Sequence, residues 1–308
     1  MKKLLVLSVL TLVALCLLAS CGGNNNPPSN EGGNDTHVHI HEFGEWDVIK
    51  ESTETEEGLR ERACACGEKE TQKIDKILVT YSEGLEFELN DGGQSYSVTG
   101  LGTCTDTEIV IPVVYEGLPV TAIGELAFIG VDLITEKPTQ ASNITSIIIP
   151  NSVSAIEMGA FAYCSALEKV VISSSVISIS SNAFEACIAI TSIVIPDSVT
   201  SIGDSAFDSC TGLTSLVIGD SVTSIGDWAF GGCTGLTSIE IPDSVTSIGE
   251  SAFCGCTGLA SIVIPDSVTS IGYRVFSSCK SLTSIAIPDS VKSINSMAFF
   301  ECTSLTSV

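Results

Sequence analysis

Histidine is nearly absent from this sequence. Its 308 residues include three histidines, His37, His39 and His41, which all lie in one short N-terminal stretch. Residues 42–308 therefore lack the commonest general base, which excludes Ser-His or Cys-His catalysis there. The same residues contain no paired acid-base motif and no glycine-rich phosphate loop. We therefore predict that the protein is not an enzyme and uses no cofactor.

Basic and aromatic residues are also scarce. The 13 Lys and Arg residues are outnumbered by 37 Asp and Glu residues, which gives a net charge of -24. Nucleic-acid binding needs clustered cations that displace counterions from phosphates, so a nucleic-acid partner is excluded. Aromatic residues make up only 6% of the chain, whereas hydrophobic residues make up 44%. The core must therefore be aliphatic.

Long apolar runs are missing after residue 18. Lys2 and Lys3 precede an apolar run over residues 4–18 that is short for a membrane-spanning helix and typical of an export signal. Its end, Leu18-Ala19-Ser20-Cys21, resembles the lipobox of bacterial lipoproteins. This resemblance implies a signal peptide over 1–20 and a lipid on Cys21 that holds the protein on the extracytoplasmic side of a membrane; the alternative is an ordinary signal peptide with a chance cysteine. Residues 21–35 have the composition of a flexible tether.

Residues 36–76 predict a small module of three β-strands. The pieces FGEWDVIK, LRERACAC and ETQKI alternate apolar and polar residues, and glycines stand at the expected turns. The stretch resembles a short module that recurs in surface proteins of gut bacteria. Its matching positions are Gly44, Trp46, Gly58, Cys64, Cys66 and Gly67. Glu54 stands where that pattern has its first cysteine.

A metal site in this module is a weaker hypothesis. Cys64 and Cys66 could combine with His37, His39 or His41, because zinc takes four thiolate or imidazole ligands. The Cys-x-Cys spacing is tighter than usual, and Glu54 replaces one expected ligand. We therefore favour a metal-free module over a metal-binding one.

A repeat of 23 residues dominates the rest of the chain. Cysteines and phenylalanines recur at this interval through seven units over residues 144–304, namely Cys164, Cys187, Cys210, Cys233, Cys256, Cys279 and Cys302, with Phe161, Phe184, Phe207, Phe230, Phe253, Phe276 and Phe299. Each unit predicts a strand, a Pro-Asp turn, a second extended segment and a single helical turn. One coil cannot bury its own apolar side, so the coils must stack as parallel strands into a β-rich solenoid.

The unit LTSIEIPDSVTSIGESAFCGCTG resembles the 23-residue BspA-type leucine-rich repeat of bacterial surface proteins. The resemblance implies a right-handed stack over 108–308 with an inserted loop over 129–143, and an adhesive role toward host matrix proteins or other bacteria. Residues 77–107 are expected to form a hairpin that caps the first coil. Residues 305–308 begin a further coil and stop, so we expect either a truncated fragment or a frayed last coil.

Two rows of polar residues offer alternative roles. The repeat cysteines are expected to be buried thiols rather than disulfides, with Cys254 as an extra, exposed and reactive thiol. Aspartates recur at the turn, as Asp197, Asp220, Asp243, Asp266 and Asp289. Calcium between the coils is conceivable, but turn formation explains this row more simply.

The outward positions of the strands are the best candidates for ligand binding. Alternation places one set of residues opposite the core, namely Ile148, Val171, Val194, Val217, Glu240, Val263 and Ala286. This row is either a docking surface or a consequence of β-propensity. Trp228, Tyr273 and Arg274 depart from the repeat and are candidate anchors. The leading hypothesis is a lipid-anchored surface solenoid that binds host or bacterial surface macromolecules, and the alternatives are an envelope spacer or a metal-binding module on a stalk.

Overall fold

The computed structural model describes residues 43–50, 58–74 and 80–307. The chain divides into two compact units, residues 1–79 and 80–308. Strands are numbered β1 to β21 along the chain. The lipobox with Cys21, the three histidines and Glu54 lie outside the described residues.

The first unit contains a three-stranded antiparallel sheet. Its strands are β1 (Asp47–Lys50), β2 (Gly58–Ala63) and β3 (Lys69–Ile74), in the order β1-β2-β3. Trp46 packs against two arginines of β2, with its ring centroid 4.8 Å from the Arg60 guanidinium carbon and 4.6 Å from that of Arg62. Arg62 in turn donates a hydrogen bond of 2.7 Å to Glu70 on β3. These contacts hold together a sheet too small to have a large apolar core.

The second unit begins with a β-hairpin at the edge of a longer sheet. Strands β4 (Glu86–Leu89) and β5 (Tyr96–Gly100) are antiparallel, and β5 then pairs in parallel with β8 (Leu118–Ile123). The hairpin thus pairs with the first strand of the longer sheet through β5, and β4 forms the edge. Between them lie β6 (Glu108–Val110) and β7 (Val114–Tyr115), and β7 pairs with β8 across a tight turn.

The repeats build two parallel ladders. The first ladder continues from β6 with one strand per coil: β9 (Ser146–Ile148), β11 (Lys169–Val171), β13 (Ser192–Ile195), β15 (Ser215–Ile218), β17 (Ser238–Glu240) and β19 (Ser261–Val263). Residues pair with the residue 23 positions later, as in Val194 with Val217 and Glu240 with Val263. Single bridges extend the ladder to Ala286 and Ser307. The predicted parallel solenoid is therefore confirmed.

The second ladder is built from shorter strands. After β8 it contains β10 (Ala155–Ile156), β12 (Ser178–Ile179), β14 (Ser201–Ile202), β16 (Ser224–Ile225) and β18 (Ser247–Ile248), which together with β5 and β4 form one sheet. The pair β20 (Ser270–Ile271) and β21 (Ser293–Ile294) continues the pattern. The isoleucines of these strands are buried or partly buried up to Ile271, so the second ladder closes the other side of the core, whereas Ile294 in the last coil is exposed.

The segment that closes each coil is not the helical turn that the sequence predicts. Ser205 and Ser209 adopt left-handed φ angles of 54° and 59°, and the residues between them form successive turns. This alternation directs every second N–H toward the next coil: Ser205, Phe207 and Ser209 donate to carbonyl oxygens of that coil at 2.7–2.8 Å. A helical turn would use those N–H groups internally. The described residues contain one helix, the short 3-10 helix η1 (Gln140–Asn143), which lies in the inserted loop.

A column of phenylalanines runs through the otherwise aliphatic core. Phe128 and the seven repeat phenylalanines stack with ring centroids 5.1–5.8 Å apart and ring planes within 14° of parallel. Phe128 stacks on Phe161 at 5.3 Å although residues 129–143 intervene in the chain. The insert therefore leaves the stack as a loop and does not separate the coils.

Candidate interaction surface

An exposed aliphatic row runs along the outside of the first ladder. We call it the outer stripe; it consists of Ile148, Val171, Val194, Val217, Glu240, Val263 and Ala286. The exposed fractions of Val194, Val217 and Val263 are 60%, 53% and 64%, whereas the neighbouring Ile193 is 2% exposed. Parallel pairing aligns Ile148 with Val171, Val194 with Val217 and Glu240 with Val263, and a single bridge joins Val263 to Ala286. With a strand spacing of about 4.8 Å, the six steps from Ile148 to Ala286 extend about 29 Å.

The outer stripe is interrupted by an acidic cleft. Glu240 is the one acidic residue of the stripe, and it lines a cleft of about 300 Å³ together with Asp220, Ile241, Pro242, Asp243 and Ser244. The sequence shows Glu240 as an exception but does not show the cleft. A second departure from the repeat is Gly219, which precedes the cleft residue Asp220 and occupies the position held by Pro196, Pro242, Pro265 and Pro288 in other coils. A Cβ atom on Gly219 would lie 2.6 Å from the backbone oxygen of Pro196, so this close approach requires glycine.

The aspartate row at the turns fits a structural role. Asp197 accepts a hydrogen bond of 3.0 Å from the backbone N–H of Asp220 in the next coil. A second row, one residue after the repeat glycine, makes the same contact: Asp227 N–H donates to Asp204 at 2.8 Å, and Glu250 N–H donates to Asp227 at 2.6 Å. Within residues 43–50, 58–74 and 80–307, no group of three or more His, Cys, Asp and Glu side chains is arranged to hold a metal ion.

The three candidate anchors do not join the outer stripe. Trp228 and Arg274 lie in the closing segment two coils apart, at the left-handed position, with φ angles of 57° and 55°. The Trp228 indole passes over Gly231, where a Cβ atom would lie 2.8 Å from the ring. The Arg274 guanidinium carbon lies 5.2 Å from the ring centroid of Tyr273, whose hydroxyl contacts Met297 Sδ at 3.6 Å. Trp228 and Arg274 thus pack against their own segment of the coil, and Tyr273 reaches Met297 in the next coil.

The repeat cysteines are buried thiols, as predicted. Six of them, Cys164, Cys187, Cys210, Cys233, Cys256 and Cys279, are fully buried and none is in a disulfide. Burial raises the pKa of Cys164, Cys210 and Cys256 to about 12. The prediction that Cys254 is exposed is wrong: its side chain is half-buried, and burial raises the pKa of its thiol. The Ser277 side chain of the next coil forms a hydrogen bond with this thiol, so the glycine at position 255 does not leave it open.

The proposed metal ligands are only partly within the described residues. Cys64 is buried and Cys66 is exposed in the turn that joins β2 to β3, where Gly67 N–H donates to the Cys64 carbonyl oxygen at 2.9 Å. His37, His39 and His41 lie outside the described residues. The lipidation site Cys21 lies outside them as well. A search of the described residues finds no helix with the length and hydrophobicity needed to cross a membrane.

Stacked 23-residue coils with two parallel ladders and a shared core define a leucine-rich repeat solenoid. The family model of the BspA type Leucine rich repeat region matches residues 133–241 and 223–308 in six copies. Because the two matches together span more than half of the chain, this chain belongs to the BspA-type leucine-rich repeat family. Members of this family are typically surface repeat proteins of bacteria, and their fold is a repeat scaffold.

Two solved structures share this fold. The chain is 23% identical to the leucine-rich repeat protein of T. pallidum, with a TM-score of 0.54, and the match covers 74% of this chain and 91% of that one. It is 18% identical to the pneumococcal vaccine antigen PcpA, with a TM-score of 0.52, and covers 72% of this chain and 73% of that one. No curated protein matches the chain.

Proposed function

We propose that this protein is a lipid-anchored bacterial surface protein, not an enzyme, that adheres to host or bacterial surface macromolecules through the outer stripe of its solenoid. The anchor is the lipid on Cys21, and the repeats supply the binding surface. The observation that carries the proposal is the outer stripe itself, in which Val194, Val217 and Val263 are more than half exposed while the inward Ile193, Ile239 and Ile262 are buried.

The geometry of the stripe suits a large partner. Extended rows of exposed apolar side chains mark interaction surfaces, and the outer stripe extends about 29 Å. Rows of exposed serines accompany the stripe, for example Ser192, Ser215, Ser238 and Ser261, and provide hydrogen-bonding groups beside it. Successive coils present a serine of this row beside a residue of the outer stripe, so weak contacts with a long partner add up.

Lysine substitutions on the stripe test this proposal. Full-length protein carrying Val194→Lys, Val217→Lys and Val263→Lys is compared with the wild type for binding to immobilised matrix proteins and to bacterial cells. Because these side chains are exposed, the variant is expected to fold normally, as circular dichroism checks. Its binding is expected to weaken by about tenfold or more, since a buried charge opposes docking.

A matched control carries the same charges on another face. Thr200→Lys, Thr223→Lys and Thr246→Lys place three lysines just before β14, β16 and β18, at exposed positions. This control also removes hydroxyl hydrogen bonds such as that from Thr223 to Thr200 O at 3.1 Å, so it is the harsher test of folding. We expect the control to bind like the wild type. Equal binding by all three proteins contradicts the proposal and favours an envelope spacer without a dedicated ligand.

A further inference from the structure

The charge of the solenoid is unevenly distributed. Residues 170–273 contain no lysine and no arginine, yet they contain ten acidic residues, namely Glu185, Asp197, Asp204, Asp208, Asp220, Asp227, Glu240, Asp243, Glu250 and Asp266. These residues form the four central coils, which also contain the most exposed valines of the outer stripe. A partner that covers this part of the stripe meets a strongly negative surface, and such a surface attracts positively charged partners.

Three of these carboxylates converge next to the stripe. Asp220, Glu240 and Asp243 line the acidic cleft, and Glu240 belongs to both the cleft and the stripe. Two departures from the repeat meet here in adjacent coils: glycine replaces proline at 219, and glutamate replaces the outward aliphatic residue at 240. The cleft therefore lies at a junction where two adjacent coils depart from the repeat. Its position within an exposed apolar row indicates a ligand that has both charge and apolar surface.

We propose that the outer stripe binds an extended polypeptide segment that carries arginine or lysine among aliphatic residues; this inference rests on the proposed function. The aliphatic side chains of the partner pack on Val194, Val217 and Val263. One of its cationic side chains enters the acidic cleft, where a guanidinium can bind carboxylates with two parallel hydrogen bonds. A stripe of about 29 Å accommodates an extended segment of about nine residues.

Other occupants fit these features less well. A second copy of this chain would bring a second acidic surface against the first, because the solenoid residues 80–308 contain only the cations Lys137, Lys169, Arg274, Lys280 and Lys292. A bare metal ion finds no suitable group of three ligands in the part of the chain that the structure describes. A purely apolar partner would leave the cleft carboxylates facing apolar surface, which costs free energy.

Synthetic peptides provide defined probes for this inference. Full-length protein in detergent is titrated with an extended peptide of about 12 residues in which valines at alternate positions share one face with a central arginine, at about 0.15 M salt, where long-range attraction is screened. Two matched peptides replace arginine by glutamate or valine by serine. We expect the arginine-valine peptide to bind at least about tenfold more tightly than either matched peptide, because only it satisfies both the carboxylates and the stripe.

Two protein variants locate the binding. Glu240→Lys reverses the charge inside the cleft, whereas Glu250→Lys makes the same change at an exposed position outside the cleft and the stripe. Glu240→Lys is expected to weaken the binding of the arginine-valine peptide by about tenfold, and Glu250→Lys is expected to weaken it by less than about threefold. Equal losses in the two variants, or equal affinity for the arginine-valine and arginine-serine peptides, would overturn the inference.

The outcome for this inference is separable from that for the proposed function. If the Val→Lys variants lose adhesion while Glu240→Lys retains it and the arginine-valine peptide does not bind, the stripe is an adhesive surface for a partner of other chemistry. The cationic-partner inference then fails and the proposed function stands. If the Val→Lys variants adhere like the wild type, the proposed function fails.

Discussion

The repeat cysteine acts as a hydrogen-bond donor between coils. In each of the seven repeats its Sγ lies 2.9–3.3 Å from the carbonyl oxygen of the phenylalanine in the preceding coil. A donor must keep its proton, and burial raises the pKa of Cys210 to about 12, so the thiol stays protonated at neutral pH. The same small, apolar side chain also fills the space beside the phenylalanine column.

Thiol alkylation tests this role at the residue scale. At pH 8 the raised pKa values keep the core thiols protonated, and burial also blocks the reagent, so both effects oppose reaction. Native protein treated with iodoacetamide is expected to react first at the exposed Cys66 and more slowly at the half-buried Cys254 and Cys302, with Cys187 and Cys233 protected. Mass spectrometry of the peptides measures the order of labelling.

Unfolding provides the control for that experiment. In denaturant all of these thiols are expected to react, because burial no longer protects them. Core thiols that label at the rate of Cys66 in the native protein, or that are recovered as disulfides, would contradict the structure.

The sequence predicted which residues face the core but not every local conformation. The 23-residue interval identified the buried Phe and Cys positions, and strand alternation identified the exposed valines. The left-handed residues could not be predicted, because their row holds Asn182, Ser205, Trp228, Ser251, Arg274 and Met297, which share no conformational preference. The exposure of Cys254 was predicted wrongly because it depends on side chains of adjacent coils.

At the scale of elements, the phenylalanine column couples each coil to the next. Parallel rings 5.1–5.8 Å apart contact both neighbours, so an interior ring belongs to two interfaces. The aliphatic residues of the two ladders surround the column. Solenoid stability is a sum of such interface terms between nearest neighbours. An interior ring is therefore expected to contribute more than a terminal one.

Removing one ring tests this coupling. Phe230→Ala is expected to reduce the free energy of unfolding by about 3–5 kcal/mol, because it leaves a cavity between two neighbouring rings. Phe299→Ala is expected to lower the free energy of unfolding by less, since that ring is only half-buried and stacks, among the described residues, on Phe276 alone. Urea denaturation followed by circular dichroism measures both values. A cost for Phe299→Ala equal to or above that for Phe230→Ala would contradict a stack held by nearest-neighbour contacts.

The strands followed from the sequence more directly than the closing segments. Alternating residues such as those in SIVIPD predict a strand and then a turn, and the structure contains both. The closing segment has Ala, Phe and Cys at a spacing that suits one turn of helix equally well. Its conformation is decided by hydrogen bonds to the next coil, because the backbone N–H groups of Ser205, Phe207 and Ser209 donate to carbonyl oxygens there. That requirement exists only after the coils have stacked.

For the whole molecule, stacking creates both the shared core and the candidate binding surface. The register that buries Ile193 and Ile195 also aligns Val194 with Val217 on the outside. The sequence predicted this stripe because its positions follow the repeat. It did not predict the acidic cleft. The sequence shows the glycine at 219 as a departure from the repeat, but it does not show the space between side chains in the folded chain. Trp228, Tyr273 and Arg274 were selected by residue type, and their positions in the coil place them on another segment.

Distances along the outer stripe test the stacking of coils most directly. Spin labels introduced as non-canonical amino acids, which avoids the native thiols, are placed at Ile148 and at Val217, Val263 or Ala286, which lie three, five and six coils away. With a spacing of about 4.8 Å per coil, pulsed electron paramagnetic resonance is expected to give distances near 14, 24 and 29 Å. Distances that do not increase with the number of intervening coils would contradict the parallel solenoid and, with it, the outer stripe.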